Sequence, residues 1–224
     1  MSVRQKIVTV AATLTLAGGL STVGPPLAGA ATAQCAPHCV QIFSATFGTA
    51  ADPRFVETVF LGIPAAGVPT GLQRVSSKHP AGDFIVPRAG LVSDFYATGS
   101  VSAAVNHHYG NLRAVQIEYA PGGEASGLCA GLATTAYEDE GLSLQPCSTP
   151  GTTVFIIDTA DSPATAPTYF PIVSGSTTDF AHPFAMTIDP ELACLPFLPI
   201  TVRHLIGNPR HVPENQLWGA NVLN

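Results

Sequence analysis

The sequence predicts an all-β domain, and two observations support this fold class. Short segments that alternate apolar and polar residues recur between clusters of glycine and proline, which is typical of strands joined by turns. Charged residues make up 11% of the chain, against about 25% in an ordinary soluble domain, so long helices with a charged outer face are not expected. The clearest strand segments are residues 55–60, 84–86, 114–119, 142–144, 154–157 and 201–206.

The N-terminus has the features of an export signal. Arg4 and Lys6 precede an apolar run from Ile7 to Leu20, which is shorter than the roughly 20 residues that a membrane-spanning helix needs. Two A-x-A sites follow, and we favour cleavage after Ala33. We therefore expect residues 1–33 to be a signal peptide and residues 34–224 to form one secreted, extracellular domain with no membrane association after cleavage.

The charge balance argues against nucleic acid as a partner. Beyond the signal, seven basic residues stand against 15 acidic ones, which gives a net charge of −8. Lys78 is the only lysine in that part of the sequence, so no basic stripe is available to neutralise phosphates. An anionic membrane surface is disfavoured for the same reason.

Two segments depart from the strand pattern. Residues 100–108 could form a short helix, although their apolar pattern is weak. The Thr/Pro/Ala-rich stretch from Asp161 to Pro171 is interpreted as an Ω-like loop, because it is short and returns at once to apolar residues.

Five cysteines in an exported chain predict two disulfides and one free thiol. We expect Cys129 to pair with Cys147, because both flank one compact unit of strands. The second expected pair is Cys35 with Cys39, and Cys39 with Cys194 is its rival. A zinc site in the C-A-P-H-C segment, residues 35–39, is a further alternative, although export favours the disulfide.

Three faint internal units are visible, spanning residues 55–86, 128–157 and 184–218. Each contains three strand-like segments, and an aromatic anchor lies in the last of them: Phe84, Phe155 and Trp218. Repeats of this kind bury a shared core that one unit cannot bury alone.

These units carry a resemblance to a known family. In the second unit a cysteine opens one strand and another closes a later one, and Gln216-Leu217-Trp218 has the form Q-x-W. In these features the chain resembles ricin-type β-trefoils. The other units depart from the motif, since Phe84 and Phe155 replace the tryptophan. The resemblance implies a β-trefoil-like single domain with long loop insertions.

The resemblance also implies a sugar site. In the family, an acid follows the first cysteine of a repeat, an aromatic ring stacks on the sugar, and an amide lies near the Q-x-W. Here Gly131 occupies the acid position of the second unit. Glu57, which we expect on an exposed strand face, and Asp189 are offset substitutes. The candidate ligand-binding residues are Glu57, Asp189, Gln216 and Trp218.

Two polar clusters have alternative interpretations. His107-His108-Tyr109, with Asn106 and Asn111, could bind a metal or act as acid and base, but adjacent strand residues point to opposite faces, so a plain loop is favoured. The acidic run at residues 138–140 could bind calcium, but it lacks the alternating spacing of a calcium loop, and a hydrophilic turn is favoured.

No catalytic motif is evident. The run from Gly123 to Gly127 misses G-x-S-x-G by one position, and neither a phosphate-binding glycine loop nor a metalloprotease helix occurs. We therefore expect no catalytic residue, no metal and no cofactor.

The sequence supports three functional hypotheses. The first is a secreted, non-catalytic domain that binds carbohydrate or a cell-surface polymer. The second is an extracellular structural or protein-interaction domain with degenerate sugar sites. A hydrolase whose site combines His107 or His108 with distant acids ranks third. The segment from Pro171 to Ala185 is also similar to exported bacterial proteins of unknown function, and the sequence does not determine the oligomeric state.

Overall fold

The computed structural model describes residues 39–75, 83–206 and 211–223. The predicted signal peptide, residues 1–33, and Cys35 lie outside this part of the chain. Within it the structure is almost entirely β, with two short α-helices, α1 (Val92–Ala97) and α2 (Ala103–Tyr109), and several single turns of 3₁₀ helix. The strands are β1 (Cys39–Ser44), β2 (Phe55–Val59), β3 (Thr70–Arg74), β4 (Phe84–Leu91), β5 (Arg113–Tyr119), β6 (Leu128–Gly131), β7 (Glu140–Gly141), β8 (Ser143–Pro146), β9 (Phe155–Ile157), β10 (Ile172–Ser174), β11 (Phe184–Ile188), β12 (Phe197–His204) and β13 (Trp218–Leu223).

The strands form three repeats of similar layout. Repeat A contains β1 to β4, repeat B contains β5, β6, β8 and β9, and repeat C contains β10 to β13. In each repeat the two middle strands pair as an antiparallel hairpin. The first and last strands of the three repeats form a ring in the order β1, β4, β5, β9, β10, β13. β13 pairs with β1, and a bridge between Phe170, two residues before β10, and Trp218 closes the ring. A closed ring leaves no exposed sheet edge.

The register of the ring repeats three times. The anchors Phe84, Phe155 and Trp218 each begin the last strand of a repeat. Each anchor has two partners. One lies in or just before the first strand of the same repeat. The other lies in the first strand of the next repeat, four residues after the position that corresponds to the first partner. The pairs are Phe84 with Val40 and Tyr119, Phe155 with Val115 and Ser174, and Trp218 with Phe170 and Ser44. This register confirms the predicted β-trefoil-like arrangement.

Neighbouring residues of the ring strands enter two different apolar clusters. Phe155, Ile172 and Trp218 belong to the cluster inside the ring. Their sequence neighbours Ile156, Val173 and Leu217 belong to a second cluster on its outer side. Successive side chains of a strand point to opposite faces, so these strands are buried on both sides here.

Helices α1 and α2 cover the outer cluster. Val92 and Phe95 of α1, and Val105 and Tyr109 of α2, are buried in it. Arg88 of β4 packs on α1, since its guanidinium lies 4.0 Å from the ring centroid of Phe95. The sequence allows a short helix at residues 100–108, although the apolar pattern there is weak. The structure has α2 at Ala103–Tyr109 and adds α1, which depends on packing against the barrel.

The predicted Cys129–Cys147 disulfide is present and joins β6 to the residue after β8. Cys194 is free and exposed, so the rival pair Cys39–Cys194 does not form. Cys39 is disulfide-bonded, which removes the thiolate that a zinc site at residues 35–39 would need. Because Cys35 lies outside the described residues, its pairing with Cys39 stays a prediction.

Candidate ligand-binding pocket

A pocket lies on the outside of the barrel, beside α2. It has a volume of about 580 Å³ and opens between α2, the connection after β9 (residues 158–171) and the connection between β10 and β11 (residues 175–183). Small-molecule sites commonly have volumes of roughly 300–1,000 Å³. The wall residues with groups suited to ligand binding include Asn106, His108, Tyr109, Asp158, Asp161 and Phe180.

Helix α2 forms one wall of the pocket. Ser102 caps its start, because the Ser102 hydroxyl accepts a hydrogen bond from the N–H of Val105 at 3.2 Å. Val105 and Tyr109 are four residues apart, so they share a face, and both are buried against the barrel. Anchored in this way, the helix places Asn106 and His108 at the pocket.

His108 links α2 to the opposite wall. Its imidazole centroid lies 4.6 Å from the ring centroid of Tyr109 and 5.1 Å from that of Phe180. Phe180 is half-buried and belongs to the connection between β10 and β11. The three rings give the pocket an aromatic side.

Two carboxylates lie on the side formed by residues 158–171. Asp158 follows β9 directly and is buried, and its Oδ1 accepts hydrogen bonds from the N–H groups of Ala160 at 3.1 Å and Asp161 at 3.3 Å. Burial, and then the charge of Asp161, raise the pKa of Asp158, while the two backbone hydrogen bonds and His108 oppose the shift. Burial also raises the pKa of Asp161. Both groups are accessible from the pocket.

The hydroxyl of Tyr109 is a third polar group in the wall. The residue is 5% exposed, and its hydroxyl makes no hydrogen bond to the residues that the structure describes. Burial raises the pKa of Tyr109, and the charges of Asp158, Asp161 and Asp179 act in the same direction. The hydroxyl therefore stays protonated and can donate to a ligand.

The turn that carries Phe180 is held by polar contacts. Asp179 Oδ1 accepts a hydrogen bond from the N–H of His182 at 3.0 Å. That bond, first among several causes, lowers the pKa of Asp179. His204 lies between two acids, with its Nδ1 2.9 Å from Glu138 Oε2 and its Nε2 3.6 Å from Asp179 Oδ2. These contacts connect the turn to β12 and hold the aromatic wall in place.

The acidic run at residues 138–140 does not converge on a calcium ion. Its three side chains engage three different partners. Glu138 contacts His204, Asp139 pairs with Arg203, and Glu140 accepts hydrogen bonds from Thr134. Within the described ranges, no group of three or more His, Cys, Asp or Glu side chains is arranged to hold a metal ion.

Glu57 lies in the protein interior, so the expectation of an exposed strand face is wrong. The residue is 3% exposed, and neither carboxylate oxygen has a hydrogen-bond partner within normal distance among the described residues. Burial raises the pKa of Glu57 to about 8, and the hydroxyl of Thr70 partly opposes this. Glu57 does not line the pocket beside α2.

The other three candidates from the sequence also lie away from this pocket. Trp218 is fully buried and donates its indole N–H to the Met186 carbonyl oxygen at 2.8 Å. Gln216 is buried, and its Nε2 donates to Thr187 Oγ1 and to the carbonyl of His204, both at 3.0 Å. The structure thus places the Q-x-W side chains in the core. Asp189 caps the 3₁₀ turn Pro190–Cys194.

Gly131 explains why the sugar-site acid is missing from the second repeat. It is buried at the end of β6, and a Cβ there would lie 2.8 Å from the Thr152 carbonyl oxygen and 3.0 Å from Thr153 Cγ2. A side chain at this position has no room. The site implied by the resemblance is therefore absent from this repeat.

Sequence reasoning identified half of the pocket. It singled out the cluster from Asn106 to Asn111 but favoured a plain loop for it. It missed Asp158, Asp161 and Phe180, which lie some 50 to 70 residues further along the chain. The available signal was the D-T-A-D run at residues 158–161, directly after an apolar strand segment.

No family model matches the chain, and no curated protein matches it. Among solved structures, the chain is similar to the crystal structure of a designed 3-fold symmetric protein, ThreeFoil. The TM-score is 0.52 and the sequence identity 11%, over 82% of this chain and 98% of that chain. A likeness at this identity shows the fold alone, and it agrees with the three repeats and the closed ring.

Proposed function

We propose that this protein is a secreted, non-catalytic domain that binds a carbohydrate, as part of a cell-surface polymer, in the pocket beside α2. The observation that carries the proposal is the convergence of Asp158, Asp161, the Tyr109 hydroxyl and the Phe180 ring in one cavity. Carboxylates and a phenol can bind sugar hydroxyls, and an aromatic ring can pack on the apolar face of a sugar. The proposal places the ligand on residues other than those that the Q-x-W resemblance implies.

Two further observations are compatible with export. The Cys129–Cys147 disulfide is of a kind that forms and persists in oxidising compartments. In the described part of the chain, no helix has the length and apolarity needed to cross a membrane.

A glycan array combined with polysaccharide pull-down tests the proposal. The full chain is expressed with export, so that the disulfide can form. We expect binding to at least one glycan class, with strong loss in Phe180→Ala and Asp161→Asn. Phe60→Ala and Glu124→Gln are matched controls, because both residues are exposed and neither lines the pocket. A chain that binds no sugar and no wall polymer overturns the proposal.

A hydrolase screen tests the absence of catalysis separately. The pocket holds two acids and two histidines, so turnover of a glycan or ester would be expected to depend on Asp158 or Asp161. We expect no turnover with or without a chelator. Turnover that disappears in Asp161→Asn and persists in Glu124→Gln would show that the domain is an enzyme.

An exposed apolar segment supports a second candidate function, a protein-interaction domain. Residues 60–69 follow β2 and contain no charged residue. Phe60 is 42% exposed, Leu61 76% and Ile63 46%, which is unusual for three large apolar side chains in one turn. Leu61 has a φ of 54°, a left-handed conformation that asparagine adopts readily. Protein binding that is lost in Leu61→Asn and kept in Phe180→Ala would favour this candidate.

A further inference from the structure

The pocket beside α2 is acidic. Among the described residues that line it, two are aspartates, two are histidines, and none is lysine or arginine. A third carboxylate, that of Asp179, lies close enough to act on the hydroxyl of Tyr109, as Asp158 and Asp161 also do. An anionic ligand would be repelled here, and a neutral one would leave the buried negative charge uncompensated.

Several polar atoms of the wall are acceptors that receive no hydrogen bond from the described residues. The carboxylate of Asp161 and Oδ2 of Asp158 accept no hydrogen bond from the residues that the structure describes. A ligand group with several N–H donors would satisfy this set, and a protonated amine carries three.

Tyr109 points to a ligand independently of the acids. It is 95% buried, yet its hydroxyl lines the pocket and has no hydrogen-bond partner in the described part of the chain. The hydroxyl oxygen itself is not enclosed by the protein, so it is open to a ligand in the pocket. A hydroxyl-bearing ligand would supply that partner.

The aromatic side of the pocket is also suited to a cation. Phe180 is half-buried and stacks with His108, so its position is defined. The face of an aromatic ring attracts an ammonium group, and the attraction increases when the group is desolvated. The negative charge, the hydrogen-bond acceptors and the aromatic ring of the pocket therefore all favour a ligand with an ammonium group.

We infer that the carbohydrate bound in this pocket carries a free, protonated amino group, as in the glucosamine units of a de-N-acetylated polysaccharide. The inference rests on the proposed function and specifies its ligand class. The carboxylates of Asp158 and Asp161 bind the ammonium group, the Tyr109 hydroxyl binds a ring hydroxyl, and Phe180 packs against the sugar.

Three β-1,4-linked tetrasaccharides test the inference, since they differ only in the group at C2. They are the glucosamine, N-acetylglucosamine and glucose tetramers, titrated by calorimetry into the exported full chain at neutral pH. We expect the glucosamine tetramer to bind at least about tenfold more tightly than either of the others. Raising the salt concentration should weaken its binding and reduce this preference.

Variants separate a defined site from general attraction to an acidic protein. Asp161→Asn should remove most of the preference for the glucosamine tetramer, and Asp158→Asn should do the same if the cap at residues 158–161 survives. Glu124→Gln changes the net charge equally at an exposed position away from the pocket and should change nothing. If Glu124→Gln weakens binding as much as Asp161→Asn does, the inference is wrong.

The remaining outcomes distinguish this inference from the proposed function. If the three tetramers bind equally and Phe180→Ala abolishes this binding, the preference for an amine is wrong. The pocket would still be a carbohydrate site. No binding of any tetramer overturns the inference, and a negative glycan array in addition overturns the proposed function. If the glucosamine tetramer binds tightly and Phe180→Ala does not weaken its binding, the amine binds outside this pocket. That result would also contradict the inference.

Discussion

The imidazole of His108 lies 5.1 Å, centroid to centroid, from the ring of Phe180, although the two residues are 72 positions apart in the chain. Their contact joins helix α2, between repeats A and B, to a connection within repeat C. The aromatic wall of the pocket depends on this contact, because no hydrogen bond joins the two side chains in the described structure.

A double-mutant cycle should detect this contact. We expect His108→Ala and Phe180→Ala to show a coupling of about 0.5–1 kcal/mol in the free energy of unfolding, which is typical of aromatic pairs. Urea titrations of the wild type, the two single variants and the double variant measure it. The pair His211→Ala and Phe180→Ala is the control. His211 is exposed and has no ring contact with Phe180, so the two effects should add. Additive effects in the His108 cycle would show that the contact contributes nothing.

Glu57 should make stability depend on pH. Its pKa is about 8 in the folded protein and ordinarily 4.5. Between pH 4.5 and pH 8, therefore, the carboxyl is protonated in the folded state and ionised in the unfolded state. The stabilising contribution is therefore complete below pH 4.5 and is lost as the pH rises through 8. We expect the free energy of unfolding to fall by roughly 3–5 kcal/mol between pH 5 and pH 9 from this group.

The variant Glu57→Gln should remove that dependence. It should be less stable than the wild type at pH 5, because the amide buries two N–H donors in place of the single O–H of the protonated carboxyl, and more stable at pH 9. Glu124→Gln, at an exposed position, should follow the wild-type profile. Parallel profiles for the wild type and Glu57→Gln would contradict the burial of an uncharged Glu57.

Replacing Gly131 with alanine should destabilise the fold. The added Cβ would lie 2.8 Å from the Thr152 carbonyl oxygen, so the backbone must shift, at a cost of about 1–3 kcal/mol. Gly141→Ala is a matched control in a neighbouring strand, because a Cβ there meets no atom within 4 Å. Thermal unfolding compares the two variants. If they melt together, Gly131 is not constrained by its neighbours.

Trp218 should contribute to stability and not to ligand binding. Trp218→Phe removes the hydrogen bond to Met186 and some buried volume, and we expect a loss of about 1–3 kcal/mol. Phenylalanine fits this environment, since Phe84 and Phe155 hold the equivalent positions. Glycan binding should be unchanged at a temperature where the variant is folded. Loss of binding without loss of stability would instead support a ligand-binding role for the Q-x-W motif.

Local pattern was sufficient for most of the β architecture. Strand alternation predicted β2, β4, β5, β8, β9 and β12, and the three units seen in the sequence correspond to the second, third and fourth strands of the repeats. The first strands β1 and β10 were not predicted, for a physical reason. All six residues of β1 and all three of β10 are buried, and neither sequence has the regular polar alternation that made β2 recognisable although β2 is buried as well.

The pocket could not be read from the chain in the same way. The residues 106–111 and 158–161 form local polar clusters, and each is also compatible with an ordinary loop or turn. They face one another because α2 and the connection after β9 both pack on the outside of the ring, where the strands carry a second apolar face. Strand alternation and the cysteine pair are local properties, so composition and spacing were enough to predict the β class and the disulfide. The burial of Glu57, Gln216 and Trp218 and the meeting of Asp158 with Tyr109 depend on contacts between residues far apart in sequence, which exist only once the ring has closed.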